Sequence, residues 1–229
     1  MRRLLVAAVV LVVLGAGADF AAARIFEGRV TEALQQEYDL GRRPVVQVRD
    51  FPFLPHLATG RFSTIDVAAT DATAKGVNAA QLQLTLQGVR VPREVMLGDG
   101  GQVTVERADG TIELTEAEVN RLLADRLQGG ALDITDDGVE LTVDLALVGQ
   151  AQVKGKLGAR GGAVTFAPDE IRLEGRGRLD PATEDLLSDR FTFRVPLPEL
   201  PAGVRLERVD TRPGTVVLSG RAASVGLAA

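Results

Sequence analysis

The chain has 229 residues, is 45% hydrophobic and 25% charged, and carries a net charge of −5, so it is globular rather than disordered and long enough for one large core. The acidic balance argues against non-specific nucleic-acid binding, which needs a basic surface to displace phosphate counterions, and gives no electrostatic grip on anionic headgroups. With no cysteine there is neither a disulfide nor an acylated-cysteine anchor, and with no Trp and one Tyr there are few platforms for stacking sugars or bases.

Arg2 and Arg3 precede an apolar run from Leu4 to Leu14, followed by Gly15-Ala16-Gly17-Ala18 and then Asp19. A charged start, an apolar stretch and a small-residue end read as an export signal. The expected division is residues 1–18 as signal peptide or N-terminal anchor and residues 19–229 as a single domain. The strict apolar run spans roughly 16 Å as a helix, short of a ~30 Å hydrocarbon core. A weakly polar extension to Ala23 is interrupted by Asp19. Cleavage after Ala18 and retention as an anchor both stay open, with a buried core helix as a third reading. The first two put the body outside the cytoplasm, in the periplasm or cell envelope, secreted or tethered to the cytoplasmic membrane.

Residues 24–40 carry apolar side chains at Ile25, Phe26, Val30, Ala33, Leu34 and Tyr38, a helical spacing that Gly41 and Pro44 end. This helix either packs on the core or lies at the membrane surface. The period then becomes two. Residues 45–48 read as a strand, and residues 61–69 and 81–90 as half-buried antiparallel strands, with Leu82, Leu84 and Leu86 facing away from Gln81, Gln83 and Gln87. Between the first two strands, Phe51-Pro52-Phe53-Leu54-Pro55 is broken by two prolines and reads as an ordered apolar loop. Residues 102–107 and 111–114 read as a hairpin around Ala108-Asp109-Gly110. Thr115 and Glu118 form a capping box, with Leu114 and Val119 at staple positions, opening a helix whose apolar face is Val119, Leu122, Leu123 and Leu127. It ends at Gly129-Gly130.

A strand at 132–135 turns at Asp136-Asp137-Gly138 into a long alternating run, 139–157, in which Leu141, Val143, Leu145 and Leu147 share a face and Gly149 marks a bulge or bend. Residues 164–166 and 171–173 read as a hairpin around Pro168-Asp169. Asp180-Pro181 opens a short helix through Leu187, residues 191–195 return to strand, Pro196, Pro198 and Pro201 make an extended loop, and strands at 204–209 and 215–220 flank the turn 211–214. No exact repeat appears, although both halves run strands, short helix, strands. The class is α+β.

Little in the chain can do covalent chemistry. His56 is the one histidine, set between Pro55 and Leu57 in what reads as loop packing, so a Ser-His-Asp or Cys-His site has nothing else to rest on. Clustered zinc ligands, a P-loop, G-x-S-x-G and G-x-G-x-x-G are all absent. No enzyme activity, cofactor or metal is expected, and a carboxylate-pair hydrolase is the weakest of three readings.

The apolar pattern is more informative. A loop holding Phe51, Phe53, Leu54 and Leu57 concentrates apolar mass where loops are normally polar. It either plugs one end of the sheet, or rims a lipid groove or dips into a membrane. At ~0.8 kcal/mol per CH₂, a ~16-carbon tail gains roughly 12 kcal/mol from desolvation, so a groove can supply affinity without strong charges. Arg61, beside the loop and before Phe62, is the candidate for a headgroup. The candidate lipid-binding residues are therefore Phe51, Phe53, Leu54, Leu57, Arg61 and Phe62.

Those residues also carry a resemblance. Phe51-Pro52-Phe53-Leu54, Gly60-Arg61-Phe62 and Ile65-Asp66-Val67 resemble the opening of the actinobacterial LmeA family of phospholipid-binding envelope proteins. Gly88-Val89-Arg90-Val91-Pro92 matches the next block, and Pro196-Leu197-Pro198, Leu200-Pro201 and residues 204–220 resemble the closing one. The closing turn departs from the family pattern, with Arg212-Pro213-Gly214 in place of Asp-Gly. The resemblance implies an exported protein that binds phospholipid or glycolipid acyl chains at a membrane surface and serves envelope glycolipid biogenesis or membrane homeostasis. It also implies a tubular lipid-binding fold, a long curled antiparallel sheet wrapped around one or two helices. The alternative is a structural or adaptor domain for an envelope protein, its sheet filled by its own side chains.

Overall fold

The computed structural model describes residues 2–37, 42–74, 76–97, 101–127, 130–145, 149–173, 187–189, 191–196 and 204–228. It opens with one continuous helix, α1 (Arg2–Glu37), so the expected helix at 24–40 is the second half of a longer one. Residues 12–18 are exposed throughout, and Asp19 is the first buried side chain among those described on α1. From there Ala22, Ala23, Phe26, Val30 and Leu34 pack into the core at the i, i+3, i+4 spacing of a single helical face. Among the described residues, no helix is long and apolar enough to cross a membrane.

The remaining elements in chain order are β1 (Val45–Val48), α2 (Phe53–Thr59), β2 (Arg61–Ala74), β3 (Val77–Arg90), α3 (Arg93–Leu97), β4 (Gln102–Thr115), α4 (Glu116–Leu127), β5 (Ala131–Thr135), β6 (Gly138–Leu145), β7 (Gly149–Arg160), β8 (Ala163–Leu173), β9 (Phe193–Pro196), β10 (Arg205–Arg212) and β11 (Thr215–Ala228). They form two antiparallel sheets where one had been expected. The first has the order β1-β2-β3-β4-β11-β10 and the second β5-β6-β7-β8-β9. Both ends of the chain contribute to the first sheet, so the halves are not two equivalent units. The class is α+β as expected.

Three strand readings are corrected, and in the first, pairing on both sides overrides local turn propensity. Ala108-Asp109-Gly110 is not a turn but the middle of β4, where Asp109 lies opposite both Thr85 and Arg221 and Gly110 opposite both Leu84 and Gly220. A strand held by two neighbours keeps all its ladder bonds, whereas a turn there would forfeit them. The run 139–157 is two strands, β6 and β7, paired to each other; Leu147 lies outside the described residues. Pro168-Asp169 is likewise inside a single strand, β8. There Lys154 pairs with Glu170 and Gly155 with Pro168, leaving Asp169 as the extra residue of a bulge, a place where a strand tolerates proline. The helix opened by Asp180-Pro181 and the proline loop past Pro196 fall outside the described residues.

Two hydrophobic clusters fill the molecule. The larger lies between the sheets, where β10 rests against β7 and β5, and is built mainly of aliphatic residues with Phe166 and Phe191. Helix α4 closes it. Leu114, Val119 and Leu123 are buried there as expected, but Leu122 is exposed. The capping box is half formed: the Glu118 N–H donates to Thr115 Oγ1 at 3.3 Å, while the Glu118 carboxylate turns outward to accept from the Asn78 N–H at 2.7 Å and from Arg121 at 2.5 Å. Hydrogen bonding to Arg121 is the main reason its pKa falls from 4.5 to about 2, against the opposing effect of burial. The smaller cluster lies on the same sheet beneath α1 and α2.

Candidate functional site

The apolar Pro-rich segment is where sequence and structure differ most usefully. It is not a loop: residues 53–59 form α2. Pro52 takes the N-cap position and Pro55 falls in the first turn, where the missing N–H has no helical partner to lose. The free N–H groups of that first turn find an acceptor outside the helix. Asp19, 5% exposed, accepts from the Phe53 N–H and the Leu54 N–H, both at 2.7 Å. One α1 carboxylate thus caps α2, a buried charge held by two backbone donors. A second buried α1 carboxylate, Glu27, accepts from the Val48 N–H at 3.0 Å and fastens α1 to β1. The other end of α2 closes on Gly60 at φ 65. A β-carbon there would meet the Val91 carbonyl oxygen at 2.2 Å, so both the left-handed cap and the close approach require glycine.

Beneath this clamp, three phenyl rings from three elements pack together. Phe26 lies 5.5 Å from Phe53 and 5.3 Å from Phe62, and Phe53 lies 5.9 Å from Phe62. These are favourable aromatic separations. Among the sequence-predicted residues, Phe53 and Phe62 are 1% and 2% exposed and form the base of the site. Phe51 and Leu54 are 77% and 41% exposed, and Leu57 is half-buried against the same cluster. Arg61 is exposed at the start of β2, opposite Arg90, with no carboxylate partner among the described residues. Its carbonyl oxygen lies 2.9 Å from His56 Nδ1, while Asp50 accepts from the Ser63 N–H at 2.8 Å; His56 therefore has a local structural role at the α2–β2 corner. Sequence reading missed Asp19, Glu27 and Phe26 as parts of this site. The available signal was the lone acidic residue inside an apolar stretch.

The sheet face next to the clamp has its own geometry. On four neighbouring strands, the apolar position packed in this cluster changes parity at the same level: Phe62 to Ile65, Val89 to Leu86, Val105 to Ala108 and Val225 to Ala222. Gly88 at φ 64 and Ser224 at φ 54 lie at this step, so left-handed residues re-aim the side chains without breaking register. Beyond the step, Val67, Leu82, Leu84, Leu86 and Ile112 are only half-buried. Leu84 leans toward Gly110, its Cδ2 being 3.0 Å from where a β-carbon would stand. This apolar strip lies between the part of the sheet covered by α1 and the part covered by the second sheet.

The profile of the LmeA-like phospholipid-binding family matches residues 17–221. The chain belongs to that family. The match begins two residues before Asp19 and takes in the clamp, the aromatic base, both sheets and the half-buried strip. No curated protein matches the chain, and no solved structure does. LmeA-like proteins bind phospholipid and are linked to the cell envelope, and the family's description names no catalytic activity. Among the described residues, no group of three or more His, Asp or Glu is placed to hold a metal ion.

Proposed function

We propose that this is an extracytoplasmic phospholipid-binding protein of the cell envelope, with residues 1–18 as its export signal or anchor and residues 19–229 as the lipid-binding body. Its acyl-chain seat is the half-buried strip of Val67, Leu82, Leu84, Leu86 and Ile112 on the first sheet. Phe51, Leu54, Leu57 and Arg61 form the rim at which lipid enters, with Phe53 and Phe62 as its packed base. The family match over residues 17–221 carries the reading, and the strip supports it: a sheet filled by its own side chains would have these leucines fully buried. Apolar contact supplies the affinity at ~0.8 kcal/mol per buried CH₂, and Arg61 meets a phosphate. Lipid transfer, in the service of glycolipid biogenesis or membrane homeostasis, is the role the family resemblance favours.

The test is organic extraction of the purified protein followed by mass spectrometry, with L84W and G110L as variants that fill the strip. Phospholipid in the wild-type extract, reduced in both variants, is the expected result. A lipid-free extract together with no uptake of phospholipid from vesicles would overturn the reading in favour of an adaptor domain.

A further inference from the structure

The clamp that builds the aromatic base also brings several exposed apolar side chains close in the fold. Leu54 donates its N–H to Asp19, Phe51 is three residues before Leu54, and Phe20 is the next residue after Asp19. Phe20 is 62% exposed, and Val12, Val13 and Leu14 are 64–72% exposed along the same helix. Arg24 stands over the Phe20 ring at 5.0 Å. Phenylalanines, a leucine and an arginine beside an apolar helix form the composition of a water–bilayer interface, with aromatic rings at headgroup depth and a long cation able to snorkel to the phosphates.

We infer that this end of the molecule is a bilayer-docking tip, with Asp19 as the positioning residue that holds α2 beside α1 so that Phe20, Phe51 and Leu54 enter the membrane together. The inference rests on the proposed reading and deepens it at the rim, sharing Phe51 and Leu54 with it and adding Phe20 and Asp19, which lie outside the acyl-chain strip. The occupant is a phospholipid bilayer rather than a protein, because the tip is continuous with the apolar residues 4–14 of the same helix and nothing interrupts α1 between them. A partner protein would have to share its site with that segment. Asp19 itself does not touch lipid. It is buried, its charge is spent on two N–H groups, and without it the short α2 has no link of this kind to α1.

The chain has no tryptophan, so single-tryptophan variants report depth without background. Full-length F20W, F51W and Q83W proteins are reconstituted into phosphatidylcholine–phosphatidylglycerol vesicles containing brominated acyl chains. Gln83 is exposed on the polar face of β3. F20W and F51W should be quenched about threefold more than Q83W, as expected for side chains lying ~5–10 Å into the interface. Combining F51W with D19N should reduce its quenching while leaving F20W unchanged, a split that a general loss of stability would not produce. Quenching of F51W no greater than that of Q83W overturns the tip. If lipid still co-extracts with the protein in that case, the lipid-binding reading stands and only the docking inference falls. Should D19N fail to fold, the comparison of F20W and F51W with Q83W decides alone.

Discussion

The two hydrophobic clusters share a sheet but differ in what covers them. Between the sheets, aliphatic side chains are enclosed by β-structure on both sides and closed by α4, and the residues at the centre, Ala151 and Val153, have no exposure at all. Under α1 and α2 the cover is two helices fixed to strands and to each other by buried carboxylates, with exposed Phe20, Phe51 and Leu54 immediately outside. The first arrangement resists opening because every change costs packing on two faces. The second adds to its apolar packing a few directional bonds from buried carboxylates. On the proposed reading, stability and lipid contact are drawn from different parts of the fold.

That contrast can be broken by substitution. The largest effect is expected for F166A, which removes a fully buried ring stacked on Phe193 at 5.2 Å in the inter-sheet cluster. A loss of about 3–5 kcal/mol in denaturant unfolding is expected, with vesicle association of the folded fraction unchanged. D19A leaves one buried and one part-buried N–H group without their acceptor. It should cost about 2–3 kcal/mol and, unlike F166A, raise hydrogen exchange selectively in residues 53–59.

Glu118 gives the inter-sheet side a pH signature. Its folded pKa of about 2 lies below the ordinary 4.5, so its stabilising effect is complete above about 4.5 and is lost as pH falls toward 2. Melting temperature should drop across that window, and E118Q should flatten the drop while lowering stability on the order of 2 kcal/mol at neutral pH. An unchanged acid profile in E118Q would move the signature elsewhere. The smallest stability effect belongs to the exposed pair: F51S with L54S should stay within about 0.5 kcal/mol of wild type yet weaken vesicle co-flotation clearly. Equal flotation would mean that the apolar tip has no part in membrane contact.

Much of this was legible in the residues, and the places where it was not share a cause. Period-two alternation located the strands from Val45 to Arg90 and from Thr215 onward, and the Thr115 cap located α4, because these signals depend on neighbours in sequence. Asp109-Gly110 misled because its turn chemistry is overruled by strands far away in the chain, and Pro168-Asp169 because a bulge opposite β7 accommodates it inside a strand. The two prolines of the apolar segment misled because proline ends a helix only in its interior, and here both sit at its start. Asp19 reads as an interruption of an apolar run, since the acceptor role it fills depends on N–H groups 34 and 35 residues away. Phe51 and Phe53 are indistinguishable by composition, yet one is exposed and the other buried: Phe53 opens α2 and packs against α1, whereas Phe51 precedes the helix.

The sequence by itself determined the α+β class, the lack of cysteine, metal-ligand and nucleophile chemistry, and an apolar segment beside Arg61 that carries the family resemblance, because composition and short-range periodicity are properties of the chain alone. Only the tertiary structure decided that two sheets form, that Asp19 joins α1 to α2, and that exposed Phe20 and Leu54 flank that junction, because those outcomes depend on pairing and hydrogen bonds between residues distant in the chain and close in space.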